Sequence, residues 1–93
     1  MIGEIAPWKR PEEVRYILRA ERVSEEYRYV VVLENMFCYV MNANPCSYIH
    51  DRFWKIAYKA DLSKGRNIIP WSELPEACQE CVWMALSLEN ENV

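Results

Sequence analysis

Glycine is scarce in this chain, with two in 93 residues, and histidine occurs once, at position 50. That scarcity removes whole classes of chemistry. A phosphate-cradling loop needs several glycines to bring backbone N–H groups close to the ligand, and none can be assembled here. The H-E-x-x-H pair of zinc proteases and the G-x-S-x-G elbow of hydrolases are also missing. Nothing approaches the eighteen uninterrupted apolar residues of a membrane span, and the opening "MIGEIAPWKR" has no apolar leader core. The expectation is a cytoplasmic chain with no membrane role. Positive charge is in deficit, at 11 Lys and Arg against 14 Asp and Glu with a pI near 5.2, whereas nucleic-acid modules carry a basic excess. Repeats and low-complexity tracts are absent too.

What remains is the composition of a packed globule, 52% hydrophobic and 13% aromatic. Its length makes a single domain over residues 1–93, able to bury roughly 60–65% of its unfolded surface. The polar tail 89–93 is expected to fray. The charge is uneven: residues 1–22 sum to +1, residues 23–50 to −2, residues 51–66 to +3 and residues 67–93 to −5. An acidic C-terminal element therefore follows a basic central one, which serves internal docking as readily as a partner.

The fold class predicted is α+β, a small antiparallel sheet packed against a C-terminal helix. "YRYVVVLENMFCYVM" reads as a hairpin, strands 27–33 and 36–41 joined at Glu34-Asn35, with Leu33 facing Met36 and Val31 facing Cys38. Both faces of that hairpin are apolar, which places it mid-sheet or under a partner. "FWKIAYKADL" gives a strand over 53–60, Trp54, Ile56 and Tyr58 pointing one way and Lys55 and Lys59 the other, with "SKGR" turning into "NIIPW". A helix over 45–61 is its rival. The first element, 11–22, is helix or strand. Pro11-Glu12-Glu13 looks like a helix first turn, and Val14, Ile17 and Leu18 share a helical face, so helix is favoured. The last element is a helix over 72–88, with Ser72 as N-cap and Glu73 and Glu76 in the first turn.

Four cysteines in 93 residues fall short of a disulfide scaffold, and a cytoplasmic setting keeps them reduced; an even count still leaves three pairings open. Cys78-x-x-Cys81 lies on the apolar arc of the last helix with Val82 and Ala85, where cysteine acts as a small hydrophobe. The alternative is a zinc-stabilised Cys3His module of Cys46, His50, Cys78 and Cys81. A redox dithiol is disfavoured by Glu73, Glu76 and Glu80 nearby, which oppose the thiolate. A Cys46–His50 dyad lacks a third, orienting group.

A nucleic-acid reading rests on an Arg15, Arg19, Arg22 stripe and on "RFWKIAYK", but strand alternation separates Trp54 and Tyr58 from Lys55 and Lys59, and stacking needs both on one face. Trp83 is the stronger clue. It lies on the polar side of the last helix among Glu76, Gln79 and Glu80, and an indole there belongs to an interface. The plainer account is a contact with the segment carrying Pro7 and Trp8. The functional expectation is a small cytoplasmic, non-enzymatic protein–protein interaction or regulatory module, binding a partner or a second copy through Trp83, Glu76, Gln79 and Glu80, with no cofactor. Small acidic chains of this kind include regulators and inhibitors, some encoded by viruses or mobile elements. Zinc stabilisation and nucleic-acid binding are the alternatives.

Overall fold

In the computed structural model, which describes residues 8–21, 28–42 and 53–91, the order of elements is β1 (Val14–Ala20), β2 (Tyr29–Leu33), β3 (Phe37–Met41), β4 (Phe53–Ala57), β5 (Arg66–Ile69) and α1 (Glu76–Glu91). Short 3-10 turns at Ala60–Ser63 and Trp71–Glu73 flank β5. The strands form one antiparallel sheet in the order β4-β3-β2-β1-β5. The chain is thus an α+β protein with the hairpin mid-sheet. Both faces of the hairpin are buried, one under α1 and the other in a cluster edged by side chains of β1, β4 and the 3-10 turn at Ala60–Ser63. One face carries Tyr29, Val31, Leu33, Tyr39 and Met41 onto the inner side of α1. The other carries Val30, Val32, Cys38 and Val40 into a second cluster with Leu18, edged by Tyr16, Ile56, Tyr58 and Leu62.

The first element is a strand, not the helix favoured from sequence. The pairing with β2 slips between Val14 and Tyr16, so Arg15 is an extra, bulged residue. The bulge reverses the alternation and puts Val14 and Ile17 on the α1 side, three apart as on a helix. Leu18, next to Ile17, points to the opposite face and is buried in the second cluster. The Arg10 guanidinium supports the bulge, donating to the Val14 carbonyl at 2.8 and 3.2 Å and to that of Arg15 at 3.3 Å.

The hairpin register also differs by one residue. Val32 pairs with Cys38 and Val31 with Tyr39, so Val31 shares a face with Tyr39 and not with Cys38. A two-residue turn of the I′ kind needs positive φ at both central residues, which Glu34-Asn35 resists. Instead Met36 N–H donates to the Leu33 carbonyl at 3.2 Å, Met36 takes φ +72°, and the Asn35 side chain accepts from Phe37 N–H at 3.0 Å. The loop is therefore three residues long.

Strand β4 stops at Ala57, short of 60, and the helix rival fails over Phe53–Ala57. Its alternation is as expected: Ile56 and Trp54 pair with Cys38 and Val40, and Lys55 with Tyr39. Helix α1 starts at Glu76, four residues later than expected, because a residue before proline avoids the α region. Leu74 is extended at φ −73°, ψ 130°, and the Pro75 carbonyl accepts the bond from Gln79 N–H at 2.9 Å. Ser72 lies in the 3-10 turn, four residues before α1, and so is not its N-cap. At the other end α1 runs through Glu91, so most of the tail expected to fray is helical.

Candidate interaction surface

The inner side of α1 is made of Cys78, Cys81, Val82, Ala85 and Leu86, all buried against the sheet. The Cys78 thiol faces the Asn42 carbonyl, Sγ to O 3.2 Å. Burial pushes the Cys78 thiol up to about 12, with the Cys81 thiol adding to it, and burial pushes Cys38 up to about 11. These thiols resist forming the thiolate that nucleophilic and redox roles require. No group of metal-ligating side chains gathers among the described residues. Cys46 and His50, the other half of the zinc alternative, lie outside the described residues, as do Pro7 and Arg22.

The outer side of α1 meets the N-terminal segment. Trp83 is half-buried, and its indole Nε1 donates to the Lys9 carbonyl at 2.7 Å. Trp71, in the 3-10 turn before α1, donates its Nε1 to the Trp8 carbonyl at 2.8 Å. Two consecutive carbonyls are thus held by two indoles, and Trp8 is pinned against the core edge. The contact between Trp83 and the Trp8 region anticipated from sequence exists. It does not bury the whole surface. Between Trp8 and α1 lies an apolar groove of about 360 Å³, lined by Trp8, Trp83, Met84, Ser87 and Leu88, with Met84 42% exposed.

Glu76 and Glu80 are exposed on the same stripe, two turns and one turn before Trp83, with no ionic partner among the described residues. Gln79 is different: it is only 4% exposed, and its Nε2 donates to the Trp71 and Leu74 carbonyls at 2.9 and 3.0 Å. It ties the start of α1 to the preceding turn, beneath the surface to which the sequence assigned it. A helical wheel gives the direction of Gln79 but not the wall that the Trp71–Leu74 turn builds beside it. Trp8, Met84, Ser87 and Leu88 are the groove residues missing from the expected set.

The arginine stripe does not form. Arg15 sits on the bulge, and Arg19 pairs with Glu73 at 3.4 Å across an exposed gap. Among the described residues no helix is long and apolar enough to cross a membrane. Compared with protein families, with curated proteins and with solved structures, the chain matches none.

Proposed function

We propose that the chain is a non-enzymatic protein-interaction module of the cytoplasm, a small regulator or inhibitor that docks on another protein through the outer side of α1. The observation that carries the reading is the groove beside Trp83, where two tryptophans, a methionine and a leucine line an open apolar depression flanked by charge. Its volume is that of a pocket for one or two large side chains. Indole-rich depressions with a polar rim are where binding energy concentrates in protein interfaces.

Met84 is the cleanest probe, since its exposed side chain makes Met84→Glu compatible with folding. Trp83→Ala is a poorer one, because it also removes the bond to Lys9. Affinity capture from extract of the source cells should retain a defined protein on the parent chain, lose it on Met84→Glu, and keep it on Lys64→Glu, whose charge change lies in the turn before β5. Equal retention by all three chains would remove the groove from the interface.

A further inference from the structure

We infer that the occupant of the groove is a basic amphipathic helix of a partner protein; this rests on the docking role just proposed. Backbone chemistry selects the helix. The groove wall is α1, whose own amides are satisfied internally, and an extended peptide laid there would find no sheet edge to pair with. A helix arrives with its backbone bonds already made and presents one apolar ridge. Charge selects the basic partner. Helix α1 contains no lysine or arginine, and Glu76 and Glu80, a like-charged pair at i, i+4, have no compensating cation among the described residues along the approach to the groove.

A second copy fits less well. A two-fold contact through the groove would bring two α1 helices and four such carboxylates together, between chains each carrying a net charge of −3. Spacing follows from helix rise: Glu80 and Glu76 lie four and eight residues before Met84, about 6 and 12 Å along the axis. The partner therefore carries a large apolar anchor for the groove and Lys or Arg four and eight residues from it.

The test is a selection of random sixteen-residue peptides displayed on phage, against the immobilised full chain, with counter-selection on Met84→Glu and, should that variant lose its far-UV spectrum, on Ser87→Arg. Enriched peptides should show the anchor with Lys or Arg at those spacings. A synthetic copy of the leading peptide should move the Trp83 indole N–H resonance, and E76Q/E80Q should weaken binding about three- to tenfold at low salt, less at high salt. Enriched peptides that are neutral, acidic or proline-rich would overturn the basic helix and leave the groove as a docking site. No enrichment over the counter-selected variant would overturn both. A dimer in light scattering that Met84→Glu splits into monomers would give the groove to a second copy and overturn the inference.

Discussion

Two residues in this fold are held in states that their surroundings impose. Met36 holds φ +72°, a left-handed conformation in which an L side chain crowds the backbone, and it stays there because Leu33, Asn35 and Tyr58 bond the surrounding loop. Its side chain is exposed, so little packing offsets the strain. Met36→Gly should stabilise the protein by about 0.5–1 kcal/mol, read as a higher urea midpoint at unchanged m-value; an unchanged or lower midpoint would show that the loop carries no such strain. Cys78 is the second. Below pH 9 its thiol is protonated in both folded and unfolded chains. Between pH 9 and about 12 the unfolded chain releases the proton while the folded one keeps it, so stability falls as pH rises. Urea midpoints at pH 8, 9 and 10 should decline more steeply for the parent than for Cys78→Ala, and parallel declines would place the thiol in a wetter setting.

At the scale of elements, the far end of α1 is held by one carboxylate. Glu89 accepts from the Tyr39 hydroxyl of β3 and from Lys55 Nζ of β4, both at 2.9 Å, and Lys55 also stands 4.8 Å from the Phe37 ring centre. Burial first, then the bond to Glu89, raises the Tyr39 hydroxyl well above its ordinary range, so it donates at every physiological pH. Glu89→Ala should cost about 1–2 kcal/mol and Glu89→Gln distinctly less, because the amide oxygen still accepts from Tyr39. Equal losses would assign the effect to the half-exposed Lys55 pair, which by itself is worth little. The elements also show what their sequences conceal. The hairpin runs and the Trp54/Lys55 alternation were legible because burial and side-chain period coincide there. The bulge at Arg15 makes a strand imitate a helix, Pro75 moves a helix start by acting on the residue before it, and Glu34-Asn35 shifts a register by refusing one turn. Each is a local backbone constraint that outweighs the hydrophobic pattern. For the surface, Trp83, Glu76 and Glu80 followed from helical periodicity. Trp8 and the buried Gln79 depend on which segment lies alongside α1, and periodicity does not encode that.

For the molecule as a whole, the sheet has two buried faces and, among the described residues, one α-helix. The α1 face includes Val31 and the opposite face Val30, both fully buried and adjacent on β2, the central strand. Any unfolding of one cluster must open β2 and so expose the other; the two clusters share their strands and cannot melt apart. Val30→Ala and Val31→Ala should therefore each cost about 1–3 kcal/mol and lower a single thermal transition, seen at one midpoint by far-UV circular dichroism and by tryptophan fluorescence. In a Trp54→Phe background, which removes the tryptophan of the opposite face, fluorescence samples the α1 side through Trp8, Trp71 and Trp83, whereas far-UV reports every strand. If the Val30→Ala chain lost strand signal at a lower temperature than its tryptophan signal, the second face would be a separately melting layer and the sheet would not unify the fold. With one transition, the groove beside Trp83 is carried on a body that moves as a unit, and a partner bound there is held by the whole sheet through α1.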